Sequence, residues 1–134
     1  MITADSRRVL VAEDDPVISR LVTHLVQKQQ YQPVLMTDGA AAYRLLQRDA
    51  DFCGAVFDMN MPNLDGLDVI RFMRTENRLM RIPVMMVSAN RDLSLMADSF
   101  AAGVTLFLPK PFTSEQFETT FRLLLQNQPR RNKN

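Results

Sequence analysis

Apolar runs of strand length alternate with helix-period segments five times along this chain, a pattern that predicts a parallel sheet with helices on both faces. The first run, Val9-Leu10-Val11-Ala12, is uninterrupted and rich in β-branched residues, as a strand covered on both sides should be. It stops at Glu13-Asp14-Asp15. Pro16 suits the first turn of a helix with Asp15 as its N-cap, and Val17, Ile18, Leu21, Val22, Leu25 and Val26 fall on one face of that helix. Pro33-Val34-Leu35-Met36 predicts a second strand, and Thr37-Asp38-Gly39 opens a helix carrying Ala42, Leu45 and Leu46.

The third run, Ala55-Val56-Phe57, ends in Asp58. A turn-forming stretch, Met59-Asn60-Met61-Pro62-Asn63-Leu64-Asp65-Gly66, follows, and then a helix in which Leu67, Ile70 and Met73 recur, with Arg74 near its end. Residues 82–87 form the strongest predicted strand, tolerating Pro83 near its start and ended by Ser88-Ala89-Asn90. A weaker helix over 91–101 precedes Gly103, well placed to end it. Residues 104–108 are the fifth strand, broken by Pro109-Lys110-Pro111. The last helix starts near Thr113 or Ser114, with a capping hydroxyl and the early acid Glu115, and repeats Phe117, Phe121, Leu124 and Leu125 at helical spacing. Residues 126–134 are polar, contain Pro129 and lack an apolar period, so the domain is expected to span 1–125 with a linker or disordered tail after it.

Composition narrows the picture. A chain of 134 residues suits one domain, and 46% hydrophobic with 23% charged residues is the balance of a globular protein. A net charge of +1 gives no global reason to expect nucleic acid or a membrane, and Arg130, Arg131 and Lys133 are too few to argue for nucleic acid. Cys53 is the only cysteine, which excludes an internal disulfide and a multi-thiolate metal site. The apolar runs fall short of the ~18 residues of a membrane span, and the first eight residues lack the apolar core of a signal peptide. A cytoplasmic location is the expectation.

The chemistry lies at the strand ends. Glu13 and Asp14, then Asp58, Ser88 and Lys110 each stand at or just beyond an apolar run, so each should reach the carboxyl edge of the sheet, where parallel α/β proteins bind ligands. An apolar strand cannot bury a lone carboxylate cheaply. Three acids in one place raise one another's pKa unless a cation neutralises them. Oxygen ligands without His or Cys select a hard ion, and few protein ligands with room for water or phosphate oxygens suit Mg²⁺. A divalent ion and Lys110 are what a phosphoryl group needs during transfer, with Asp58 as nucleophile and the Ser88 hydroxyl on a phosphoryl oxygen. Any one of these residues alone is a cap, a loop residue or a surface lysine. Asp15, Asp38 and Asp65 are read as caps or turn formers, and His24, off the apolar stripe, as a solvent-facing helix residue. Cys53 and the nine methionines are read as turn, core or interface packing.

These blocks resemble, from residue 8 to 125, the receiver domain of bacterial two-component response regulators. The acidic pair after Val9-Leu10-Val11-Ala12, the block opening at Asp58 and closing at Gly66, Ser88-Ala89 and Lys110-Pro111 occur in the family's order and at its spacing. Chemotaxis receivers are themselves a standard example of the flavodoxin-like doubly wound sheet of order 2-1-3-4-5, so that order comes from the resemblance and not from the residues. The resemblance implies that Asp58 accepts a phosphoryl group from a histidine kinase or phosphotransfer protein. It further implies that Asp14, Asp58 and the main-chain carbonyl of Asn60 ligate Mg²⁺, that Glu13 acts mainly through water, and that Lys110 pairs with the phosphoryl group. A cis Lys110–Pro111 bond is admitted. Added phosphoryl charge would draw in Ser88 and its loop and let Phe107 turn inward, biasing a face made of the fourth helix, fifth strand and fifth helix. That face is also the one offered for dimerisation, for a downstream target or for an output domain beyond these residues. The resemblance also implies that Asn60 and Asn90 tune how readily water attacks the acyl phosphate.

Two other classes share parts of this pattern. A phosphohydrolase of haloacid dehalogenase type wants an acid two residues after the nucleophile, and Asn60 cannot donate and accept protons in that role. A flavodoxin-like cofactor binder wants a phosphate loop after the first strand, where this chain has three acids. A phosphoacceptor module, not a classical enzyme, is the expectation.

Overall fold

The computed structural model describes residues 7–126, in which strands and helices alternate strictly. The order is β1 (Arg8–Ala12), α1 (Pro16–Lys28), β2 (Gln32–Met36), α2 (Gly39–Arg48), β3 (Gly54–Asp58), α3 (Gly66–Arg74), β4 (Val84–Ser88), α4 (Leu93–Ala102), β5 (Leu106–Pro109) and α5 (Ser114–Gln126). All strand pairs are parallel and run in the order β2-β1-β3-β4-β5, so the chain reverses direction across the sheet between β1 and β3. That reversal opens a crevice at the carboxyl edge, the usual ligand position in such sheets.

Side-chain alternation along the strands builds two apolar layers. Leu10, Ala12, Ala55, Phe57, Val84 and Met86 face α2 and α3, packing with Ala42, Leu46, Ile70 and Met73. Val9, Val11, Val56, Met85 and Val87 face α1 and α5, packing with Val22, Leu25, Val26, Phe117, Phe121 and Leu124. Phe52, Phe57, Phe117 and Phe121 are fully buried, each contributing about 1.5–3 kcal/mol by leaving water. Cys53 belongs to the second layer, where burial pushes its thiol up to about 11.

Local chemistry starts the helices. The Asp15 carboxylate accepts from the N–H groups of Val17 and Ile18, Asp38 from Ala41, Asp65 from Asp68 and Asp92 from Ser94, so four aspartates are N-caps. For α5 the cap is Thr113: its Oγ1 accepts from Gln116 N–H while Gln116 Oε1 accepts from Thr113 N–H, a reciprocal capping box. Gly103 ends α4 in the left-handed region at φ 115°.

Several boundaries differ from the sequence expectation, two of them because a turn or helix cap claims the N–H that a strand would use. β4 begins at Val84 because the Ile82 N–H is spent in a turn on the Leu79 carbonyl and Pro83 has none to give. β5 begins at Leu106 because the Val104 N–H caps α4 on the Ser99 carbonyl. Val17, placed on the apolar face of α1 by periodicity, is 72% exposed. His24 is exposed as expected. α5 includes Gln126, and the predicted tail from 127 onward lies outside the described residues. Among the described residues no helix is long and apolar enough to cross a membrane.

Candidate functional site

The parallel register delivers the predicted residues to one edge. Ala12 pairs with Phe57, so Glu13 follows beside Asp58; Asp58 pairs with Val87, and Ser88 pairs with Pro109, setting Lys110 next in line. Glu13 keeps strand-like pairing through its N–H to the Met36 carbonyl at 3.1 Å, and Lys110 does so to the Ser88 carbonyl at 2.8 Å. The Lys110–Pro111 peptide is cis.

Lys110 bridges the acids: its Nζ lies 3.2 Å from Glu13 Oε1 and 3.4 Å from Asp58 Oδ1. Glu13 and Asp58 are buried, at 2% and 5% exposure, whereas Asp14 is exposed at the mouth. Oxygens of Glu13, Asp14 and Asp58 all lie within 4.8 Å of one another. Burial, then the charge of Asp58, pushes the Glu13 carboxyl up from 4.5 to about 7, against the pull of Lys110 and of the Asp15 N–H on Oε2. Burial also raises Asp58, opposed first by Lys110, then by a proton shared from Glu13 and by the Asn60 N–H at 3.4 Å from Oδ1. One lysine is shared between two buried acids, and Glu13 Oε1 is met by the Lys110 ion pair without a well-formed hydrogen bond. Such an all-oxygen, electron-rich edge fits a hard divalent cation better than it fits a void.

Ser88 is completely buried, its Oγ accepting from Asn90 N–H at 3.0 Å and lying 3.9 Å from Met59 Sδ. Asn90 Oδ1 in turn accepts from Asp92 N–H, joining the loop after Ser88 to the cap of α4. Asn60 is exposed beside Asp58. Phe107 is half-buried, opposite Met86 in the register and packed on the first apolar layer. Gly66 closes the loop after Asp58: its N–H donates to the Met59 carbonyl at 3.1 Å, and a Cβ there would sit 2.4 Å from the Asp58 carbonyl oxygen. Sequence reasoning missed that requirement and the Met59 contact, although a glycine eight residues after the acid was the visible signal.

A doubly wound parallel sheet with three carboxylates, a hydroxyl and a lysine on its carboxyl edge defines the receiver class of signalling module. The chain belongs to the response regulator receiver domain family, whose model matches residues 9–122. Among its relatives is the chemotaxis protein CheY1 of Helicobacter pylori, 28% identical over 119 residues that cover 88% of this chain and 96% of that protein. The solved structure of CheY4 from Vibrio cholerae, a chemotaxis response regulator, is 26% identical with a TM-score of 0.83, covering 90% of this chain and all of that one. The receiver domain of the Pseudomonas aeruginosa sensor histidine kinase PA1611, solved with magnesium coordinated in its active-site cleft, shares the fold at 24% identity and a TM-score of 0.81, covering 92% of this chain and all of that domain. The chain is thus a receiver domain with a phosphoacceptor role in two-component signalling, not a haloacid dehalogenase-type phosphohydrolase or a classical enzyme.

Proposed function

We propose that Asp58 is the phosphoacceptor. The observation that carries this reading is the convergence on the buried Asp58 of Lys110, which also holds Glu13, and of the exposed Asp14, whose oxygen lies within 4.8 Å. A carboxylate oxygen of Asp58 attacks phosphorus on a phosphohistidine of a sensor kinase or phosphotransfer protein. The O–P bond forms as the P–N bond breaks, and the imidazole leaves with the bonding pair and takes up a proton.

The residues fit Mg²⁺: Asp14, Asp58 and the Asn60 carbonyl would hold it, with Glu13 acting through water. Bound there, the ion supplies positive charge to the phosphoryl oxygens. Lys110 offers its ammonium to a phosphoryl oxygen and Ser88 its hydroxyl, so charge that develops in transfer meets fixed donors. The same parts support transfer from small phosphodonors and slow hydrolysis, with Asn60 and Asn90 flanking the path of water.

Modification adds about −1.5 to −2 charge beside Asp58. Ser88 and its loop move toward that charge, Phe107 follows, and the α4-β5-α5 face changes shape for a target, an output domain or a second copy of the chain. The test is incubation of wild type and Asp58→Asn with acetyl phosphate and Mg²⁺, read by intact mass. Phosphoryl mass on wild type alone is expected; no gain, or equal gain on the variant, defeats the assignment.

A further inference from the structure

The Ser88 hydroxyl is buried, yet the acceptor offered to its proton is a thioether. A serine hydroxyl has a single proton. Its oxygen accepts from Asn90 N–H at 3.0 Å, and Met59 Sδ stands 3.9 Å away as the partner on the donor side. Sulfur is a weak acceptor. Met59 is held firmly: its N–H donates to the Val87 carbonyl at 3.2 Å, its own carbonyl accepts from Gly66 at 3.1 Å, and the residue is 4% exposed. The residue directly after Asp58 therefore presents its sulfur to the buried hydroxyl from fixed backbone.

Hydroxyl bonds to an anionic oxygen are about twice as strong as neutral ones. We infer that Met59 is a positioning residue for phosphoryl capture: its thioether holds the Ser88 hydroxyl in a weak bond, which an oxyanion on Asp58 displaces. The inference rests on the reading of Asp58 as phosphoacceptor. Two properties of methionine suit the task. A stronger acceptor would keep the hydroxyl from turning; an aliphatic side chain would leave a buried proton unpartnered and raise the energy of the unmodified state.

The test is Mg²⁺-dependent binding of beryllium fluoride, a phosphoryl mimic, to the full chain by calorimetry. Wild type, Met59→Leu, Ser88→Ala and the double variant form a cycle that isolates the contact. Leucine conserves volume, so Met59→Leu is expected to fold, as urea unfolding checks, and to bind the mimic about 2- to 10-fold more tightly. In the Ser88→Ala background the same change should have no effect. Met59→Gln, which supplies a stronger acceptor, should act in the opposite direction and keeps the inference testable if leucine disturbs the fold. No change, or an equal change in both backgrounds, overturns the role of Met59 while leaving Asp58 in place. Wild-type binding no stronger than that of Asp58→Asn overturns both.

Discussion

Replacing Glu13 with glutamine should stabilise this protein at alkaline pH and do nothing for it in acid. Glu13 is 2% exposed, and its carboxyl is raised from 4.5 to about 7 by burial and by Asp58. Because the folded pKa lies above the unfolded one, the folded chain keeps a proton that the unfolded chain has already released. Stability is therefore fully present below pH 4.5, falls as pH rises toward 7, and is flat above it. At roughly 1.4 kcal/mol per pH unit that window costs wild type about 3 kcal/mol in the absence of metal.

Glutamine removes the titration but places an amide beside the Lys110 ammonium, where an unsatisfied N–H costs about 1–3 kcal/mol. The difference leaves Glu13→Gln more stable than wild type by up to about 2 kcal/mol near pH 8, and less stable by up to about 2 kcal/mol near pH 5. Urea unfolding of both proteins across that range, in chelator, reads the difference directly. A gap that does not change with pH, or a variant weaker than wild type near pH 8, would refute the reasoning.

Further expectations follow from the same geometry. Lys110→Met removes the ammonium 3.2 and 3.4 Å from the two acids; labelling by acetyl phosphate should slow by about 100-fold or more, while Mg²⁺ affinity measured by calorimetry should hold or rise. Arg74→Ala strips the guanidinium that donates to the carbonyls of Gly103, Met80 and Ile82, and urea unfolding should show a loss of about 2–4 kcal/mol. Gly66→Ala drives a Cβ to 2.4 Å from the Asp58 carbonyl; both stability and acetyl phosphate labelling should fall, and labelling at the wild-type rate would contradict the tight closure of that loop.

The parts of this fold that are local were legible in the sequence. Asp15, Asp38 and Asp65 could be read as caps because each bond they make spans two or three residues. The strands could be placed because burial on both faces leaves continuous apolar runs. Strand order was not legible, since nothing in one strand names its neighbour, and it came from family resemblance. The start of β5 was misplaced for a different reason: an apolar residue after Gly103 suits a strand or a helix end equally, and Val104 gives its N–H to the Ser99 carbonyl at the end of α4.

The site shows the same division. That acids converge at one edge follows from each standing at the end of an apolar run. Which acid is buried does not, because Glu13, Asp14 and Asp15 are adjacent and chemically alike. The structure separates them by backbone pairing: Glu13 still bonds to Met36 as a strand residue and turns inward, Asp14 is free at the mouth, and Asp15 is committed to capping α1. Three neighbouring acids thereby acquire three electrostatic environments. The buried one, Glu13, opposes folding at neutral pH, and the same burial brings its charge within 3.2 Å of the lysine that the proposed phosphoryl group must share. Stability is given up where the charge is needed, the trade-off expected of a site arranged for binding.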